Sequence, residues 1–225
     1  MKKLNIIIML VLFVFCLQKG NAQTINWNTM GTTKHIINAN FGLDYSLSYG
    51  LGYGYKLDTK LPIVINANVS MPSGETPSDD FKTKIGGQIQ LLKRSNFMGA
   101  LAIYGIYRKH ETELVRLRNF GSEMKGTFGY YKSKWFVAAE AGFDKAIITH
   151  FKHAPKYKDE IYADILDGWY EPATGGNVYY GLQGGYSFKK LDMTINIGKV
   201  VSQDFKTSPL LPFYVNLGIN YRIIK

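Results

Sequence analysis

The sequence contains a single cysteine, Cys16, and it lies in the apolar stretch near the start of the chain. An exported protein of this composition cannot depend on disulfide bonds for its stability. Backbone pairing and side-chain packing must therefore hold the fold together. Lipid attachment at Cys16 is not expected, because the bulky Phe15 stands where a lipoprotein signal carries a small residue.

Long apolar runs are also scarce. Two lysines precede an apolar run at residues 6–17, and Gly20 and Ala22 place small residues three positions and one position before the expected cleavage site. This is the pattern of a secretory signal peptide, and the run is shorter than the roughly 17–25 residues that a membrane helix requires. We expect cleavage after Ala22, so that residues 1–22 are a signal peptide and residues 23–225 form one domain. No later segment is apolar enough to predict a transmembrane helix.

The charge balance is basic, with a formal net charge of +10. The basic residues are dispersed and form no stripe with interleaved aromatic residues, so nucleic acid is not an expected partner. Attraction to acidic lipid headgroups fits an exported chain better, and a simple contribution to solubility fits better still.

A period of two dominates the rest of the sequence. Between residues 41 and 57 every odd position is large and apolar or aromatic, whereas the even positions are mainly glycine or serine. In a strand these two sets point to opposite faces. The same alternation recurs in eight further segments, at residues 61–71, 85–91, 97–107, 124–130, 135–143, 178–188, 193–197 and 213–223. We therefore predict nine strands, each with one oily face.

The links between these strands alternate in length. Short, lysine-rich links at residues 58–60, 93–96, 132–134 and 189–191 alternate with long links at residues 72–82, 109–122, 150–177 and 203–212. Outer-membrane barrels combine tight periplasmic turns with longer extracellular loops, and their strand number is even. The expected fold is thus all-β, a closed antiparallel up-and-down transmembrane β-barrel. Residues 25–38 supply a further strand and bring the number to ten, with eight as the fallback.

The chain resembles the small outer-membrane β-barrel proteins of Bacteroidota. The resemblance rests on the lysine-rich start, the Ala22-Gln23 junction and the alternating strands rich in glycine and tyrosine. It covers nearly all of the chain after Ala22 and includes no active-site motif. It implies a porin-like protein in a Gram-negative outer membrane, surrounded by outer-membrane lipid and inserted by the barrel-assembly machinery.

The inward positions of the predicted strands carry ionisable residues. Those expected to form a polar cluster in the lumen are Asp44, Lys84, Arg108, Lys125, Glu140 and Asp144. A barrel of eight to ten strands is narrow, so side chains fill most of it and buried charges must pair. The cluster is then either a mostly closed polar plug or a ligand site or narrow ion path lined by Lys84, Arg108, Glu140 and Asp144.

The longest predicted link, residues 150–177, is rich in aromatic residues. Tyr157, Tyr162, Trp169 and Tyr170 are candidates for binding an extracellular ligand or protein partner. They also fit a lid over the barrel or the lipid headgroup zone. Residues 159–166 have the composition of a short helix.

Catalysis and metal binding have weak support. No catalytic motif is present, and we assign no catalytic residue, metal ligand or cofactor. His150 and His153 have a spacing that suits one helical turn, but zinc needs further rigid ligands. Two alternatives stay open: an enzyme at the barrel rim with His110 or His150 as base and Ser122 nearby, and a soluble periplasmic lipid-binding barrel with its oily face inward.

We expect an integral outer-membrane barrel with a mostly plugged lumen and binding loops, in a structural, binding or narrow-pore role.

Overall fold

The computed structural model describes residues 23–31, 33–43, 46–73, 79–172, 175–207 and 209–224. The expected signal peptide, residues 1–22, and Asp44 of the predicted lumen cluster lie outside these residues. Within them, no helix is long and apolar enough to cross a membrane.

Strands account for most of the described chain. They are β1 (Thr33–Leu43), β2 (Leu47–Leu57), β3 (Ile63–Pro72), β4 (Asp80–Arg94), β5 (Phe97–Glu111), β6 (Val115–Tyr131), β7 (Trp135–His153), β8 (Gly168–Tyr170), β9 (Gly176–Ser187), β10 (Leu191–Ser202) and β11 (Phe213–Ile224). A short helix, α1 (Pro155–Glu160), precedes β8, and a 3₁₀ turn at Trp27–Thr29 precedes β1. The helix lies earlier than the predicted residues 159–166, because Pro155 favours a helix start.

Ten of the strands form a closed antiparallel ring in which each pairs with its neighbours along the chain. The ring runs from β1 to β7, continues through β9, β10 and β11, and closes where β11 pairs with β1. The three-residue strand β8 lies outside the ring and pairs with β7. Ring closure removes the unpaired edges that an open sheet would expose. The predicted closed ten-stranded barrel is confirmed.

The two faces of the barrel wall are divided as the alternation predicted. Large apolar side chains point outward; Leu51 is 59% exposed and Ile103 is 61% exposed. Asparagines such as Asn66 and Asn220 point inward and are buried. A soluble lipid-binding barrel requires the opposite arrangement, with the oily face inside, and the described strands do not have it.

The segment at residues 41–57 is a hairpin and not the single strand that was predicted. β1 ends at Leu43 and β2 begins at Leu47, with Phe41 opposite Tyr49. Odd residues face odd residues across this hairpin, so the alternation continues through the turn without a break. The expected first strand at residues 25–38 accordingly begins only at Thr33. The number of strands in the ring is still ten, because residues 41–57 contain the end of β1 and all of β2, whereas the strand expected at residues 25–38 overlaps only the beginning of β1.

The strands on one side of the barrel are longer than predicted. β5 and β6 extend through the predicted link at residues 109–122 and leave only residues 112–114 as a turn. β7 continues to His153, inside what was predicted to be a loop. In these extensions the outward residues are charged instead of apolar, although the strands remain paired. The alternation of apolar and polar residues therefore predicted only the apolar part of each strand. The strict alternation of short and long links was therefore wrong.

Candidate functional site

Residues 23–30, here called the inner segment, lie inside the barrel. Gln23, Asn26, Trp27 and Met30 are almost completely buried. The backbone turns at Trp27–Thr29, where the Asn26 side chain accepts a hydrogen bond of 3.1 Å from the backbone N–H of Asn28. Because their neighbours are inward side chains of the wall, these residues occupy space that would otherwise be open lumen.

Hydrogen bonds join the inner segment to strands on both sides of the ring. On one side, Gln88 of β4 donates to the carbonyl of Gln23 at 2.8 Å. On the other, Asn220 of β11 donates to the carbonyl of Thr24 at 2.7 Å, and Asn26 donates to Ser187 of β9 at 2.8 Å. Buried polar groups need partners of this kind, and here the segment and the wall supply them to each other.

An apolar cluster fills the lumen near the short turns. Its members are buried together: Ile25, Trp27, Met30, Ile36, Val64, Met98, Ala100, Tyr131, Phe136 and Ala138. The rings of Tyr131 and Phe136 stack at 5.2 Å. The residue pattern did not predict this cluster, because Ile25 and Trp27 alternate with asparagines as residues of a strand would.

A layer of buried ion pairs with tyrosine partners lies on the side of the inner segment that is farther from the short turns. Lys84 pairs with Glu123, which also accepts a hydrogen bond from the hydroxyl of Tyr179. Lys125 lies 3.6 Å from Glu140, whose carboxylate accepts a hydrogen bond of 2.7 Å from the hydroxyl of Tyr214. Each cation thus has an acid, as burial in a narrow lumen requires.

The predicted cluster residues divide between two heights. Lys84, Lys125 and Glu140 lie in the ion-pair layer, whereas Arg108 lies nearer the outer end and pairs with Asp80 at 2.9 Å. Asp144 is opposite Glu123 in the β6–β7 ladder and lines the open lumen above that layer.

Sequence reasoning missed Glu123 and Asp80 because both were placed in or beside predicted links. A signal for Glu123 did exist, since it lies two residues before the inward Lys125 and therefore shares its face.

The outer part of the lumen contains two adjoining cavities of about 370 and 420 Å³, here called the vestibule. Both are lined by Lys82, Arg108, Asp144 and Asn177. The inward charged residues of this region are four cations, Lys82, Lys84, Arg108 and Lys125, and four acids, Asp80, Glu123, Glu140 and Asp144. Cations and acids are thus equal in number, and the vestibule is lined by polar and charged groups without an excess of either sign.

The four aromatic residues predicted to form a binding loop do not form one cluster. Tyr157 lies in α1 against His153, with ring centroids 5.1 Å apart, and Tyr162 is exposed. Trp169 packs on the outward side against Phe120, at 6.0 Å. Tyr170 donates to the carbonyl of Leu166 at 3.1 Å.

The histidines do not form a catalytic or metal-binding group with the residues considered from the sequence. His150 and His153 lie on strand β7, where a spacing of three puts them on opposite faces. His110 faces inward, 3.0 Å from Asp80, whereas Ser122 occupies an outward position on β6. In the described part of the chain, no group of three or more histidine, cysteine or acidic residues is arranged to hold a metal ion.

Asp167 organises the long outer link between β7 and β9. Its carboxylate accepts hydrogen bonds from the backbone N–H of His153 at 2.8 Å and from Lys158 at 3.1 Å, and it lies 2.9 Å from the His153 ring. These contacts, led by the His153 N–H, hold the pKa of Asp167 well below its usual range. The resulting stabilisation is present above the ordinary aspartate pKa and is lost as the pH falls through the lowered one.

The variant Asp167→Asn should loosen this link without opening the barrel. An amide retains one oxygen acceptor but loses the negative charge that attracts Lys158. Limited proteolysis at neutral pH should cut within residues 154–175 several-fold faster than in the wild type. Asp159→Asn, an exposed change in α1, is the matched control and should cut at the wild-type rate. Equal rates for all three proteins would contradict the role of Asp167.

Comparison with known proteins gives similarity of architecture only. No protein-family model and no curated protein matches the chain. The solved structure of the KdgM porin matches with a TM-score of 0.44 and 10% identity over 84% of this chain and 99% of that one. A structure of the same porin in complex with disordered oligogalacturonate matches with a TM-score of 0.43 and 10% identity, over the same shares.

Proposed function

We propose that the chain is an integral outer-membrane β-barrel that binds a ligand in its vestibule and has the inner half of its lumen filled. The observation that carries this proposal is the outward apolar face of a closed ring. Along β5 this face runs from Phe97 to Tyr107. Ten residues at about 3.3 Å each and a tilt near 40° give about 25 Å, the height of the apolar band of outer-membrane barrels.

The lengths of the links support an orientation. The short turns at residues 95–96, 132–134 and 188–190 are at one end, which fits the periplasm. The long link at residues 154–175 and the extended β5–β7 strands are at the other, which fits the outside. In this orientation the vestibule opens to the exterior, and the signal peptide predicted at residues 1–22 is consistent with export.

The contacts in the lumen favour binding over an open pore. The inner segment and the Lys84–Glu123 and Lys125–Glu140 pairs fill the cross-section below the vestibule. The polar and charged lining of the vestibule favours a small polar ligand. Ser122 lies on the other side of the wall from His110, and on β6 it is four residues from Arg118, which is opposite His150, so neither histidine is next to Ser122. Membership of the Bacteroidota class stays a prediction.

Extraction and gel migration test the membrane location. The protein should leave the membrane fraction only with detergent, and it should migrate faster before boiling than after, as closed outer-membrane barrels do. Recovery in the soluble periplasm, or one band unaffected by heating, would contradict the proposal.

A charge on the outward face provides a sharper form of this test. Ile103→Lys places an ammonium near the middle of the apolar band, and it should lower the free energy of unfolding in lipid vesicles by about 2–4 kcal/mol. Leu166→Lys makes the same kind of change in the exposed outer link and should alter it by less than about 0.5 kcal/mol. Equal effects from the two variants would mean that lipid does not contact Ile103.

A further inference from the structure

A row of aromatic side chains crosses the outward face where β4 to β8 leave the apolar band. The ring centroids of Phe81 and Tyr107 lie 5.8 Å apart, those of Tyr107 and Phe120 5.1 Å, and those of Phe120 and Trp169 6.0 Å. Aromatic rings favour the boundary between hydrocarbon and headgroups. This row therefore marks the outer edge of the membrane on this side of the barrel.

Immediately beyond the aromatic row, the same face becomes basic. We define the basic patch as Lys109, Arg116, Arg118, His150 and Lys152. The strand ladder places Lys109 opposite Arg118, Arg118 opposite His150, and Arg116 opposite Lys152. The side chains point outward, since Lys109 shares the face of Ile103 and Tyr107 on β5. The patch therefore belongs to the exterior and not to the vestibule.

The charges of the patch are incompletely balanced by the protein. Glu111 pairs with Lys109 at 2.7 Å and also with Arg116. Arg118 and Lys152 are exposed, and within the part of the chain that the structure describes neither makes an ion pair. Like charges directly opposite each other on neighbouring strands are destabilising. An anion supplied from outside the chain would relieve that repulsion.

The height of the patch fits the headgroup layer. Lys109 and Glu111 lie two and four residues beyond Tyr107 on β5, and this corresponds to about 5 and 10 Å along the barrel axis. The headgroup region of a bilayer extends about 5–8 Å beyond the hydrocarbon on each side. The anions available at this height and on this face are lipid headgroups.

We propose that the basic patch binds the phosphate groups of a phosphorylated lipid of the outer leaflet, with the aromatic row against the start of its acyl chains. The guanidinium of Arg118 suits a phosphate because its planar fork can donate two parallel hydrogen bonds. Lys152 adds a second point charge for the same headgroup. This inference rests on the orientation given under the proposed function.

Lipid binding by the detergent-purified barrel tests this proposal. Native mass spectrometry would titrate lipid A carrying two phosphates, and the same lipid with both phosphates removed. Arg118→Gln with Lys152→Gln should weaken binding of the phosphorylated lipid by at least about tenfold. The matched control, Lys134→Gln with Lys189→Gln, removes two exposed charges from the opposite end and should bind within about twofold of the wild type. The dephosphorylated lipid should bind all three proteins equally weakly.

Three results would overturn the proposal. The patch variant could bind the phosphorylated lipid as tightly as the wild type does, or the control could lose as much affinity as the patch variant. Alternatively, millimolar inorganic phosphate could displace the lipid, which would identify a site for free phosphate. Both variants should keep heat-modifiable migration. A heat-modifiable membrane barrel without a lipid preference would refute this inference alone, whereas recovery of the wild type in the soluble periplasm would refute the proposed function first.

Discussion

Deleting residues 23–30 should raise the conductance of the barrel. The deletion removes Trp27 and Met30 from the apolar cluster and removes the backbone that Gln88 and Asn220 contact. The ten-stranded ring is closed by its own backbone ladders, including the β1–β11 pairing, so it should persist. In planar bilayers the single-channel conductance should rise at least about threefold, because a ring of this size is closed mainly by what fills it. The Lys84–Glu123 and Lys125–Glu140 pairs remain and should limit the conductance of the variant.

The control for this deletion alters the lumen but leaves the inner segment in place. Asn68→Ala with Asn216→Ala removes two buried inward side chains of the wall and should change the conductance by less than about twofold. A second variant, Asn26→Cys with Ser187→Cys, joins the segment to β9 where the native side chains hydrogen-bond. Its oxidised form should stay closed. A heat-modifiable deletion variant with wild-type conductance would show that the inner segment does not block the lumen.

Breaking one buried ion pair should have the largest effect on stability. Lys84 and Glu123 have side chains that are 8% and 4% exposed, so Glu123→Leu leaves a largely buried ammonium without its acid. Removing one partner of such a pair costs about 3–5 kcal/mol, whereas replacing both with apolar residues is often neutral. Glu123→Leu should therefore lower the free energy of unfolding by about 3–5 kcal/mol, and Lys84→Met with Glu123→Leu should restore most of it.

Urea unfolding in lipid vesicles, analysed as a double-mutant cycle, measures these differences. The exposed pair of Lys156 and Glu113 provides the control, since its side chains are 54% and 88% exposed and lie 3.7 Å apart. Glu113→Leu should change the free energy of unfolding by less than about 1 kcal/mol. If the double variant is less stable than Glu123→Leu alone, the two residues do not act as a pair.

The faces of the wall could be predicted because lipid and lumen select opposite residue types at successive positions. Leu51 and Gly52 show this within one strand. The ends of the strands could not be predicted in the same way. Beyond Tyr107 the outward residues become charged while β5 continues to Glu111, and through the turn after Leu43 the alternation persists although the strand ends. The alternation of apolar and polar residues depends on what surrounds each face of a strand, and it does not depend on where the backbone hydrogen bonds of the strand end.

The site was predictable only in part for a related reason. Strand parity identified Lys84, Lys125 and Glu140 as inward, but their partners depend on the register of strands that are distant in sequence. Lys84 is on β4 and its acid, Glu123, is on β6. The inner segment was missed because Ile25 and Trp27 are buried by the wall around them and not by pairing within a strand. Tertiary contacts of this kind leave no period in the sequence.

The position of the inner segment also links two steps in the formation of the barrel. The segment leads directly into β1, and it hydrogen-bonds Ser187, Asn196 and Asn220 on the three strands that are made last. β1 in turn closes the ring against β11. These contacts, like the β1–β11 pairing, can form only after β9, β10 and β11 have been made. Closure of the ring and filling of its inner half therefore depend on the same last three strands.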